Sequence, residues 1–117
     1  MNFNDYQNQA IKTDVAHNAT TESARYNGYM EKALGLAGET GEVLEKIKKM
    51  IRDKDGVFSI SNEDRESLQK ELGDVLWYLS AIAYYNDIKL EDIAKTNLEK
   101  LASRQQRDKI RGSGDDR

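Results

Sequence analysis

The residues in this chain best suited to chemistry are two acid pairs. Glu39-Thr40-Gly41-Glu42 and Glu71-Leu72-Gly73-Asp74 each set two carboxylates three positions apart. They sit inside a longer repeat. Leu36-x-x-Glu39-x-Gly41-Glu42-Val43-Leu44 matches Leu68-x-x-Glu71-x-Gly73-Asp74-Val75-Leu76 at an offset of 32, and Ile47 and Met50 align with Leu79 and Ile82. One such pair is ordinary on a solvated helix face. The same pair twice, with Gly and Val-Leu kept around it, points to a site; a duplicated stretch of structural helix is the plainer alternative. At 100° per residue, Leu36, Val43, Leu44, Ile47, Met50 and Ile51 share one apolar arc, with Glu39 near −60°, Lys46 near −80° and Glu42 near −120° of Leu36. Measured from Leu68, the residues Glu71, Tyr78 and Asp74 take about the same three angles beside an arc of Leu72, Val75, Leu76, Leu79, Ile82 and Ala83.

Two such helices packed antiparallel with their arcs facing would bring all four carboxylates together. Two like charges about 4 Å apart cost on the order of 4 kcal/mol at an effective dielectric near 20, so cations or protons must neutralise the cluster. The donors are oxygens only: the chain has one His, His17, far from either pair in sequence, and no Cys. Mg²⁺, with Mn²⁺ able to substitute, suits that set better than Zn²⁺ or Cu²⁺ and leaves positions for water and phosphate.

The elements that must carry these residues read as helices throughout. There is no Pro, and apolar residues recur at three- and four-residue steps. The pattern predicts an all-α, four-helix bundle-like fold with helices over about residues 3–17, 28–52, 61–86 and 90–109, and a polar loop over 18–27. Asp53-Lys54-Asp55-Gly56 is expected to end the second helix, and Ser61 with Asp64 to open the third as a capping box. Residues 1–111 form one domain, and the Gly-rich tail 112–117 is expected to be flexible. Gly35, Gly38 and Gly41 each cost a helix about 1 kcal/mol relative to Ala. Either something must approach closely there, or the helix starts near Gly38. On the fourth helix Asn97, Lys100, Arg104, Arg107 and Arg111 line one edge, suited to the outer phosphates of a nucleotide or to solvent. Trp77 lies opposite the third helix's apolar arc and reads as a subunit-interface anchor, or else a base-stacking platform.

Composition narrows the classes. Hydrophobic residues make up 38% and charged residues 33%, which is polar for a globular monomer and fits wide charged faces or a core completed by a second chain. The net charge of −3 argues against a nucleic-acid partner. No apolar run approaches the roughly 20 residues that span a bilayer. The opening Met1-Asn2-Phe3-Asn4-Asp5 lacks the pattern of a signal peptide, and with no Cys a cytoplasmic location is expected.

With those residues in place, the sequence resembles the MazG-like family of the all-α NTP pyrophosphatase superfamily, whose mark is Glu-x-x-Glu, a spacer, then Glu-x-x-Asp. Gly35-Leu36-Ala37-Gly38-Glu39, Glu71-Leu72-Gly73-Asp74-Val75-Leu76-Trp77-Tyr78, Asn97-Leu98-Glu99-Lys100-Leu101-x-x-Arg104 and the opening Tyr6-Gln7-x-x-Ala10 are also similar to members. The resemblance implies a homodimer or homotetramer. It implies Mg²⁺ on Glu39, Glu42, Glu71 and Asp74, and hydrolysis of an NTP or dNTP to the monophosphate and pyrophosphate. Lys100 and Arg104 match positions associated with phosphate, and Tyr78 and Asn97 positions associated with the nucleotide. Lys46 joins the substrate-binding set from its angle beside the acids alone. Some members carry an extra acid just before the first motif; here Gly35 and Leu36 stand there, so the resemblance supplies no general base. The rival readings are a non-catalytic helical interaction or adaptor module and a di-iron bundle, and the latter wants Glu-x-x-His pairs that are missing.

Overall fold

The structure, a computed structural model, describes residues 1–55 and 59–115. Four α-helices, α1 (Phe3–Ala10), α2 (Glu22–Asp53), α3 (Asn62–Tyr85) and α4 (Leu90–Gln106), account for its regular structure together with one 3₁₀ turn, Ile11–Thr13. No strand occurs among the described residues.

The helix ends follow from side-chain caps. Asn2 and Asp5 form a reciprocal capping box on α1, and Ser61 and Asp64 form the expected one on α3. Lys54 also binds Asp64 and, with the two Ser61 contacts, holds its carboxyl down at about 2. Helix α1 stops at Ala10, well short of residue 17, because the chain turns out of the helix: the Thr13 hydroxyl donates to the Ala10 carbonyl at 2.7 Å and Asp14 is extended. Helix α2 begins at Glu22 under a Thr21 cap, inside the stretch expected as loop, and passes unbroken through Gly35, Gly38 and Gly41. The polarity of residues 22–27 marks exposure there, not conformation. Gly56, expected to end α2, lies outside the described residues; Asp55 takes a φ of 50° just before it. At the ends of α3 and α4, Asp87 and Asp108 adopt φ of 56° and 53°. Each closes a Schellman pair, with Ile88 N–H on Ala83 O at 2.9 Å and Lys109 N–H on Arg104 O at 2.7 Å.

Helices α2 and α3 form a long antiparallel hairpin. Helix α1 packs on α3 and the start of α4, and α4 makes no contact with α2 among the described residues. Gln7, buried on α1, ties the α3–α4 corner. Its amide donates to the carbonyls of Ser80 (3.3 Å) and Ile88 (2.9 Å) and accepts from Leu90 N–H at 3.1 Å. The radius of gyration, 17.5 Å, exceeds the roughly 13 Å of a compact chain of this size.

The core sits at one end of the hairpin and centres on a charge pair. Lys32 is 1% exposed and Asp14 2%, with Lys32 Nζ 2.8 Å from Asp14 Oδ1. Asp14 also accepts from Tyr85 Oη at 2.7 Å and Ala16 N–H at 3.2 Å. Ile11, Ala81 and Tyr85 are buried around it, with Tyr29, Trp77 and Tyr84 packed against them. Burial alone would raise Asp14, but the bonds from Lys32, Tyr85 and Ala16 outweigh it and hold the carboxyl below its usual range. Burial alone would lower Lys32; Asp14 and Glu31 hold it above its usual range. Asp14's contribution to stability is therefore present above about pH 4 and lost as pH falls through its depressed value. The Lys32 contribution is present below about pH 10 and lost as pH rises through its raised value.

Two expectations need correcting. Trp77 does not lie away from the core: its indole donates to Thr13 Oγ1 at 2.8 Å, its ring lies 5.7 Å from Lys32 Nζ, and it stays half-buried. The apolar arcs of α2 and α3 are also only half used. Leu36, Val43, Met50, Leu68 and Val75 are half-buried, whereas Leu44, Ile51, Leu72 and Leu79 stay exposed. The reason is that α3 also serves α1, so its most buried face is Ser80, Ala81, Ala83 and Tyr85.

Replacing Lys32 by Met strands Asp14 as a buried carboxylate without a counter-ion. Loss of about 3–5 kcal/mol is expected in urea unfolding at pH 7, shrinking near pH 3 as Asp14 protonates; a pH-independent loss below 1 kcal/mol would contradict the pair's role. A methyl group added at Gly35 would lie 2.1 Å from the Tyr78 ring, while at Gly38 nothing lies within 4 Å. Gly38→Ala should therefore raise stability by up to about 1 kcal/mol and Gly35→Ala lower it, as read from their melting temperatures.

Candidate active site

Both acid pairs reach one place because α2 and α3 run antiparallel with their acid-bearing edges adjoining. Glu39 and Glu71 are half-buried in the seam; Glu42 and Asp74 are exposed beside it. Glu39, Glu42 and Glu71 each offer one carboxylate oxygen, and the three lie within 4.8 Å of one another. Asp74 is not in this trio, but its charge is felt in the same place. Glu39 is pushed up by partial burial and then by Glu42, Asp74 and Glu71. Tyr6, brought over from α1, is pushed up by burial and by Asp74. Among the described residues no cation pairs with Glu39, Glu42 or Asp74, whereas Lys46 Nζ lies 3.3 Å from Glu71 Oε1 and donates to Ser67 Oγ at 2.6 Å.

The repeat is visible as a repeated contact. Residue 46 is equivalent to 78 and residue 35 to 67 at the offset of 32. Tyr78 reaches across to Gly35, and Lys46 reaches across to Ser67. The two halves thus pack alike about the acid cluster. Gly35 is required because the phenol ring lies where its Cβ would be. The Tyr78 ring is further fixed edge-on against Trp77, with centroids 4.8 Å apart.

The remaining residues named from sequence lie elsewhere. Asn97 is exposed on α4. Lys100 pairs with Asp115 at 3.1 Å, and Arg104, 5% exposed, donates to the carbonyls of Gly114 and Asp115 and to the Asp115 carboxylate. Within one chain these basic residues are bound to the tail and make no bond to the acids. As far as Asp115, the tail lies back against α4. Sequence reasoning missed the buried Lys32–Asp14 pair, although Lys32 lies four residues before Leu36, inside the apolar arc of α2. It also missed Ser67, whose partner Lys46 was found by angle alone.

The donor set fits a hard divalent cation: three convergent carboxylates from two helices, a fourth beside them, and no nitrogen or sulfur ligand among the described residues. No solved structure matches the chain. The "Gene 37 protein" of Mycobacterium phage L5 is 51% identical to it over 84 residues, spanning 72% of each protein. Residues 29–107, which carry both acid pairs, the repeated contact and the whole of α4, match the family model described as MazG nucleotide pyrophosphohydrolase domain. The chain belongs to the MazG nucleotide pyrophosphohydrolase family.

Proposed function

We propose that this protein hydrolyses a nucleoside triphosphate, NTP or dNTP, to the monophosphate and pyrophosphate, using Mg²⁺ held by Glu39, Glu42, Glu71 and Asp74. The observation that carries the reading is the meeting of acids from both repeat halves, with oxygens of Glu39, Glu42 and Glu71 within 4.8 Å of one another. So much negative charge in one half-buried seam has little structural use, and it is what a polyphosphate–cation complex needs. When bound, Mg²⁺ supplies Lewis acidity, lowering the pKa of a water and shielding phosphate charge; Mn²⁺ can take its place.

The chain's own groups do the rest. Glu39 or Glu42 takes the proton of the attacking water, and Glu39 is the one whose proton affinity its neighbours raise. Lys46 sits at the cluster's edge, where a phosphate would meet it. Tyr78, locked over Gly35, offers a rigid ring beside the seam for the nucleoside, with Asn97 as an amide partner. Lys100 and Arg104 take the leaving pyrophosphate, for which they must give up Asp115. The reading includes a homodimer or homotetramer, supported by the exposed Leu44, Ile51, Leu72 and Leu79 beside the same seam.

Alanine at Glu39 or Asp74 should abolish pyrophosphate release from a panel of NTPs and dNTPs while far-UV dichroism stays helical; undiminished turnover in either variant would refute its role. Mg²⁺ should raise the melting temperature, since a ligand at 100 times its Kd adds about 2.7 kcal/mol. A flat titration would favour the adaptor reading. In sedimentation the protein should run as a dimer or tetramer and Leu72→Glu should shift it to the monomer. A monomeric wild type at micromolar concentration would overturn the assembly.

A further inference from the structure

We propose that Lys46 is the internal counter-ion of the acid cluster, holding Glu71 in the metal-free protein and giving way when a divalent cation loads. The inference rests on the metal-site reading above and adds how the empty cluster keeps its shape.

The geometry is specific. Lys46 leaves α2 one turn beyond Glu42 and crosses to α3, where its ammonium lies 3.3 Å from Glu71 Oε1 and 2.6 Å from Ser67 Oγ. Ser67 is one turn before Glu71 on the same helix, so the two acceptors fix the ammonium from one side. Among the described residues this is the cluster's only cation: Glu39, Glu42 and Asp74 have no ion pair. The repeat makes the placement pointed. The equivalent crossing from α3 to α2 is made by Tyr78 onto Gly35, which carries no charge. One half of the repeat thus contributes a ring and the other a cation at structurally matched positions.

The ammonium is also free to leave. Its side chain is 40% exposed, whereas that of Glu71 is 15% exposed. A divalent ion taking Glu71 repels the ammonium, and the neutral Ser67 hydroxyl alone holds a charge weakly. Lys46 then swings toward solvent at the mouth of the cluster, where a polyphosphate on the same ion would meet it. As a positioning residue, Lys46 keeps Glu71 in place before loading and competes with the ion that replaces it.

The test uses the full chain stripped with EDTA, with Mg²⁺ and Mn²⁺ titrated by calorimetry and melting followed without metal. Lys46→Met should bind either cation about fivefold more tightly than wild type, the size of an ion pair of this exposure. It should melt lower in EDTA, and adding Glu71→Gln should recover the metal-free melting temperature. Lys46→Arg should restore wild-type behaviour, and Ser67→Ala should move affinity in the same direction as Lys46→Met by less. A merely structural lysine would lower stability without tightening metal binding. Wild-type binding with equal or weaker affinity in Lys46→Met overturns the exchange and leaves the metal site standing. Absence of binding by wild type to either cation overturns the metal reading, and the exchange with it.

Discussion

The fold depends most on a buried ion pair that has nothing to do with phosphate. Lys32 and Asp14 lie almost wholly out of water, 2.8 Å apart. Removing two charges from solvent costs several kcal/mol each, and attraction offsets that only where the remaining bonds are made. Here they are made: Tyr85 and the Ala16 amide complete Asp14, and Glu31 and the face of Trp77 complete Lys32. Those partners come from α2, α3 and the crossing between α1 and α2, so one interaction fastens three parts of the chain. It also sets the rotation of α2 about its axis. Gly35, Glu39, Val43 and Lys46 follow Lys32 at three- and four-residue steps, so the face that buries Lys32 at one end presents Glu39 and Lys46 to α3 further along.

The acid cluster then uses a seam whose rotation is already fixed. Helix propensity would not choose three glycines for the first half of this seam, and of the three only Gly35 has a steric reason, the Tyr78 ring. Its repeat equivalent is Ser67, which answers a lysine where Gly35 answers a tyrosine. Two sequence-related helices therefore meet about an approximate two-fold axis while differing at the positions that decide charge. A symmetrical pairing with two lysines would leave the cluster half neutralised without any metal. One with two tyrosines would leave it unrelieved. The observed mixture keeps one cation against four carboxylates, a net deficit that favours a divalent ion.

Much of this could be read from the sequence because it is local or periodic. The two acid pairs share an edge by helix geometry, and Lys46 and Tyr78 share the next angle, so their crossing the seam follows from the 32-residue offset. Ser61 and Asp64 carry a capping signature that needs no tertiary information. What could not be read is how three helices divide a face. The arcs of α2 and α3 look complementary alone, but α1 claims Ser80, Ala81 and Tyr85, and the arc is left partly in solvent. The packing of Trp77 on Thr13 is hidden for the same reason: opposite one apolar arc is the far side only if no other part of the chain waits there. Thr21 was hidden among polar neighbours that suit a helix surface as well as a loop. Lys32 was legible and overlooked, since a lysine inside an apolar arc asks for a buried acid.

The fourth helix shows the limit of reasoning one chain at a time. It is fastened at its start, where Gln7 holds Leu90 N–H and Asn4 accepts from Glu91 N–H at 3.3 Å. Beyond Ile93 and Ala94 it runs on without meeting α2 among the described residues. Arg104 is nevertheless buried, and the tail does it with a carboxylate and two carbonyls on one guanidinium nitrogen. Its Nε is left without a partner among the described residues. Lys100 shares the same carboxylate. The arrangement thus gathers two basic side chains on one carboxylate, so the far half of α4 is fastened by charge to the tail that follows it and not by packing on another helix.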